Sequence, residues 1–155
     1  VKYNDVIENG YIINIDSKEY YIKQFVDNRD LSKRQKVLHY CRMLMGSPYL
    51  WGGKTSDGID CSALIQIFFY YNRIFFPRDT KDQIKFCKRK RGGNHLKGDI
   101  VFWKGHVGIS LNKSRFIHAY GPKKKVVVMP TVQTIQVLDK TANLKVKKVS
   151  NIGNY

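Results

Sequence analysis

The chain has 155 residues, 43% hydrophobic and 26% charged, enough for one full domain and a fragment of another. That balance excludes a disordered tail, and the longest apolar run, around 65–71, is far too short to cross a bilayer, so no transmembrane segment is expected. Three cysteines without a C-x-x-C pair argue against a disulfide scaffold, and four scattered histidines lack zinc spacing, so no metal or other cofactor is expected.

The chain opens on Val1 with no basic-then-apolar leader, so no signal peptide is read in it and a natural N-terminus further upstream is expected. Charge then divides it. Residues 1–31 hold 4 basic and 6 acidic side chains, net −2, whereas 32–155 hold 24 basic and 6 acidic, net +18. This shift sets a domain boundary near residues 30–32. In the first segment, strands are expected over 10–16 and 19–26 around a Ser17-Lys18 turn, because both stretches are rich in Tyr, Ile and Val. So small a hairpin is marginal alone, which marks it as part of a small β-domain or as an element docked on the rest.

In the basic part, Ser32 can cap a helix over 32–45, with Val37, Leu38, Cys41, Leu44 and Met45 at helical spacing. Gly46 and Pro48 end it, and a Gly-rich loop follows over 49–60. A second helix is expected from Cys61 to about Asn72. Its apolar residues cover nearly the whole circumference, as in a buried central helix. Thr80 and Gln83 have capping-box spacing for a short third helix. Beyond Gly92-Gly93 the pattern changes to strands over 99–103, 106–111, 115–119, 125–129 and 144–149. Helices followed by a run of antiparallel strands make an α+β pattern.

The runs Lys88-Arg89-Lys90-Arg91 and Lys123-Lys124-Lys125 would serve a polyanion. No helix-turn-helix, cold-shock or RNA-recognition motif accompanies them, so they read first as solvated faces, with no specific nucleic-acid partner.

Chemistry concentrates at Cys61. A cysteine in the first turn of a buried helix meets unpaired N–H groups and the positive end of the helix dipole, which favour thiolate and could hold an oxyanion. It still needs a base. A hairpin turning at 111–113 would set His106 directly opposite His118 on one sheet face with Gly108 and Ser110, a base and the group that orients it. That register is assumed, and a slip of one residue would part the two histidines. Cys41 reads as inert core, Cys87 as incidental, and His39 and His95 as without a role.

Six ordered motifs share one pattern: Pro48-Tyr49-Leu50-Trp51-Gly52-Gly53; Asp60-Cys61-Ser62-Ala63-Leu64; Pro77-Arg78-Asp79-Thr80 with Gln83; Gly98-Asp99-Ile100-Val101-Phe102; His106-Val107-Gly108-Ile109; and Ile117-His118-Ala119. The pattern resembles the NlpC-type family of bacterial cell-wall cysteine peptidases, in the papain-like superfamily. The resemblance implies an α+β domain over 32–155 with a permuted papain core, its nucleophile helix packed on an antiparallel sheet. It implies Cys61 as nucleophile, His106 as general base and acid, His118 orienting His106, and Tyr49 beside the oxyanion. Asp60 and Ser62 would hold a free amino terminus, and Arg78 the acidic part of a stem peptide.

The implied reaction is hydrolysis of a peptidoglycan stem peptide, at the γ-D-glutamyl–L-diamino-acid bond, through a thioester. Alternatives are acyl transfer or amide hydrolysis on another substrate, and a non-catalytic polyanion-binding module. Ala63 stands where such sequences commonly carry glycine, a change a helix tolerates. The first 31 residues are similar to the tail of a bacterial SH3-like domain. A monomer is the default expectation, and cytoplasmic peptide recycling is favoured over a periplasmic or wall-associated place.

Overall fold

The computed structural model describes residues 2–7, 10–15, 18–23, 43–72, 74–92 and 94–153, with side chains from Met43 onward. The chain divides into two compact units, Val1–Leu31 and Ser32–Tyr155. The first is an antiparallel three-stranded meander of β1 (Lys2–Ile7), β2 (Gly10–Ile15) and β3 (Lys18–Lys23), in that spatial order. Its second pairing runs from Ile15↔Lys18 to Gly10↔Lys23, a hairpin register set by a two-residue connection. The helix expected over 32–45 falls largely outside the described residues, as do Cys41 and His39. Met43 and Leu44 are helical.

The second unit is built on a five-stranded antiparallel sheet. Its strands are β6 (Asp99–Trp103), β7 (His106–Ser110), β8 (Arg115–Tyr120), β9 (Lys125–Pro130) and β10 (Lys148–Asn151), in the order β10-β6-β7-β8-β9. A short ladder of β4 (Lys54–Thr55) and β5 (Gly58–Ile59) precedes the helix α1 (Cys61–Tyr71). The described residues of this unit also form the helices α2 (Thr80–Phe86) and α3 (Thr131–Ala142). Among the described residues no helix is long and apolar enough to cross a membrane.

Alternation along the strands explains the two cores. Ile100, Phe102, Val107, Ile109, Ile117, Ala119 and Val126 point to one face, where they join Leu64, Ile65, Phe68 and Phe69 of α1. Val101, Trp103, Phe116 and Tyr120 point to the other and meet Leu138 of α3. Covered on both sides, β6 is buried at every position, which is why it reads as an unbroken apolar run. Helix α1 is capped by Asp60, whose carboxylate accepts from the Ala63 N–H at 2.8 Å.

Several elements differ from the sequence reading: Lys18, expected in a turn, opens β3, and the β4–β5 ladder lies within the loop expected over 49–60. Nothing in the sequence pattern announced α3, because its buried positions are Thr131, Thr134 and Leu138, and two hydroxyls in three hide the apolar stripe. The last strand lies at Lys148–Asn151 rather than 144–149, paired to β6 through Val149↔Val101.

Candidate active site

Cys61 begins α1, just after its cap, and is 6% exposed. The first intrahelical bond runs from the Leu64 N–H to the Asp60 carbonyl at 3.0 Å, so the Cys61 and Ser62 N–H groups precede the helical ladder. The thiol lies 3.9 Å from the Gly105 carbonyl, at the turn that delivers His106. Burial pushes the thiol up. The Val107 and Ser62 N–H groups and the Thr80 hydroxyl pull the other way without cancelling it, while the Asp60 charge adds to the rise. Burial thus opposes the thiolate that the start of a helix favours.

His106 opens β7, and its Nε2 lies 2.9 Å from His118 Nδ1. The structure brings the pair together by a different register from the one expected. Ile109 faces Ile117 and Ser110 faces Phe116, a displacement of two residues from the hairpin that set His106 opposite His118. Because strand side chains alternate with a period of two, an even displacement keeps both rings on one face, as diagonal neighbours.

Trp103 lies 5.6 Å from His106, and Tyr120 stacks on His118 with ring centres 4.7 Å apart. Burial pushes His106 down to about 4, and burial with the neighbouring His106 pushes His118 down to about 3. Both rings are neutral near pH 7, which leaves one nitrogen of each ring without a proton.

Tyr49 sits on an isolated bridge to Ile59, with its N–H on the Lys124 carbonyl at 2.9 Å. Burial, then the charges of Cys61 and Asp60, push its phenol up, so it remains an O–H donor near Cys61.

The remaining expected residues form one cluster. Arg78 donates through Nη1 to Asp60 Oδ1 at 3.0 Å and to Ser62 Oγ at 2.8 Å, and through Nη2 to Asp60 Oδ2 at 2.7 Å. Asp60 also accepts from the Gly52 N–H at 3.0 Å and from the Ser62 hydroxyl at 3.1 Å. Arg78 thus sets its guanidinium fork on Asp60 and remains partly exposed. Burial raises the Asp60 carboxyl, but Arg78 and the Ala63 and Gly52 N–H groups outweigh it and hold the group below the usual carboxylate range.

Three contributors escaped sequence reasoning. Thr80 enters the sequence reading as a helix cap and a motif residue, Tyr120 lies one residue beyond the strand expected over 115–119, and Met129, whose Sδ lies 3.4 Å from His118 Nε2, is the last residue of the strand expected over 125–129. Strand spacing could have offered Tyr120, two residues beyond His118 and so on its face. Cys87 is buried in the same apolar core as Cys61, with burial pushing its thiol up to about 11.

This arrangement can be set beside known proteins. The family model described as NlpC/P60 family matches residues 46–144, spanning every motif from Tyr49 to His118. The chain belongs to the NlpC/P60 family. A Bacillus subtilis gamma-D-glutamyl-L-lysine dipeptidyl-peptidase is 29% identical over 109 residues, covering 65% of this chain and 37% of that protein. The Escherichia coli probable endopeptidase NlpC is 35% identical over 82 residues, covering 48% and 53% respectively. The chain therefore spans about half or less of these NlpC/P60 relatives. A solved NlpC/P60 family protein from Bacillus cereus superposes with a TM-score of 0.71 at 18% identity, over 96% of this chain and 52% of the other. The fold is the papain-like α+β fold of the NlpC/P60 family.

Proposed function

We propose that this NlpC/P60 chain is a cysteine peptidase that hydrolyses peptidoglycan stem peptides at the γ-D-glutamyl–L-diamino-acid bond. The observation that carries the reading is the His106 Nε2–His118 Nδ1 contact of 2.9 Å on the strand whose leading turn touches the Cys61 thiol. In this reading Cys61 gives its proton to His106 as its sulfur attacks the carbonyl carbon. The oxyanion is held by backbone N–H groups at the start of α1 and by the Tyr49 hydroxyl, a contribution of about 3 kcal/mol. His106 then protonates the leaving amine, and water, deprotonated by His106, releases the acyl group from sulfur.

Asp60 and Ser62 would receive a free amino terminus, with Arg78 acting through them as the residue that fixes their geometry. The name of the Bacillus subtilis relative supports the substrate class, and that of the Escherichia coli relative supports endopeptidase activity. The three-stranded Val1–Leu31 unit we read as the end of an SH3-like domain.

The test is incubation with synthetic L-Ala-γ-D-Glu-L-Lys, with products resolved by mass spectrometry. Release of L-Ala-γ-D-Glu and lysine by the wild-type chain, and none by Cys61→Ala, is expected. Equal recovery of intact tripeptide from both proteins, across related stem peptides, would sink the proposal.

A further inference from the structure

Which ring nitrogens carry protons decides whether His106 can act as a base. With His106 Nε2 and His118 Nδ1 at 2.9 Å, one nitrogen of the pair donates and the other accepts. If His118 donates, a neutral His106 holds its proton on Nδ1, its only remaining ring nitrogen, and cannot take one from Cys61. If His106 donates, Nδ1 is bare and can. The contact between the two rings does not choose between these arrangements.

The other nitrogen of His118 does. His118 Nε2 lies 3.4 Å from Met129 Sδ, and a thioether has lone pairs but no hydrogen to give. His118 is 0% exposed, so solvent does not reach this nitrogen in place of sulfur. With a proton on Nε2 the contact is an N–H to sulfur bond. Without one, two lone pairs face each other in a buried place, at the cost of an unsatisfied polar group. Register supports the contact: His118 pairs with Val127, which makes Met129 its diagonal neighbour on the same face. Tyr120 stacked at 15° and Phe116 edge-on at 5.5 Å confine the ring in this orientation.

We propose that Met129 is a positioning residue of this site: its sulfur accepts the His118 Nε2–H, and through His118 this fixes His106 in the tautomer with a bare Nδ1. His118 Nδ1 then accepts from His106 Nε2–H. When Cys61 loses its proton, His106 Nδ1 gains it, and the imidazolium keeps its bond to His118. The inference deepens the peptidase reading and rests on it for the kinetic consequence. The tautomers stand independently of any substrate.

The test is nitrogen-15 NMR of the histidine side chains in the full chain near neutral pH, assigned by single-histidine replacement. The expected pattern is protonated Nε2 and bare Nδ1 in both His106 and His118. A protonated Nδ1 on His118 in the wild-type chain overturns the proposal, whether or not any variant folds. Met129→Leu keeps the volume and removes the acceptor. It should introduce an Nδ1-protonated population at both rings and lower kcat about three- to tenfold with KM unchanged. An unaltered nitrogen pattern in folded Met129→Leu would equally overturn it. Because the spectra are read without substrate, a wild-type chain that cleaves no stem peptide defeats the peptidase reading and leaves this one standing or falling on its own.

Discussion

Replacing Arg78 by methionine keeps the aliphatic stem and removes the guanidinium. Asp60 would then be left with a carboxylate whose side chain is 10% exposed and two of its five hydrogen bonds gone. Breaking a buried ion pair from one side typically costs 3–5 kcal/mol, because the surviving charge stays buried. Here the Gly52 N–H, the Ala63 N–H and the Ser62 hydroxyl still reach Asp60, so the lower end, about 3 kcal/mol, is expected. Arg78 is 24% exposed, which trims the figure slightly rather than reducing it to a surface pair.

The pH dependence has a definite sign. In the wild-type chain the folded Asp60 carboxyl lies below its ordinary value, so its stabilisation is present above the unfolded carboxylate pKa and is lost as pH falls through the folded one. Without the hydrogen bonds and charge of Arg78 the folded value rises, so protonation costs the variant less stability than it costs the wild-type chain. Urea unfolding near pH 7 and near pH 4 measures both effects. The gap between the proteins should be about 3 kcal/mol at neutral pH and smaller in acid. A gap below about 1 kcal/mol at neutral pH, or one that widens in acid, would refute the argument that Asp60 needs its partner.

Three further outcomes are expected. Cys61→Ala should abolish stem-peptide cleavage while its urea midpoint stays close to wild type; retained cleavage would remove Cys61 from the chemistry. Gly108→Ala would set a methyl 2.5 Å from the Phe116 ring and 2.8 Å from the Ile117 carbonyl, so a loss of about 1–3 kcal/mol is expected in thermal unfolding. An unchanged Tm would contradict the packing described for that strand pair. The two neutral buried imidazoles, at about 4 and about 3, confer stability that is fully present above pH 6.5 and lost as pH falls towards those values. His106 alone accounts for about 3 kcal/mol of that loss. A His118→Asn variant should flatten this slope, and an equal slope in both proteins would count against burial as its cause.

Much of the site was legible because its parts are local in sequence. Asp60-Cys61-Ser62 is a cap and a first helical turn, and any helix starting there places the same three side chains at its tip. The shared face of His106 and His118 survived an incorrect register because the error was even. A one-residue slip would have separated them. What stayed hidden is long-range. Arg78 reaches back eighteen positions to Asp60, and no periodicity tells whether a guanidinium turns towards substrate or towards its own chain. Met129 hid in an apolar strand, where a thioether is indistinguishable from a packing residue until its sulfur is seen against a buried nitrogen. Helix α3 was missed because threonines line its buried side.

The central claim is covalent catalysis by Cys61, and the mass of the protein quenched in acid during turnover of L-Ala-γ-D-Glu-L-Lys tests it most directly. The account predicts a transient adduct equal to the L-Ala-γ-D-Glu acyl group, mapped to Cys61 and absent from Cys61→Ala. Turnover that proceeds with no adduct on Cys61, together with cleavage by Cys61→Ala, would contradict it.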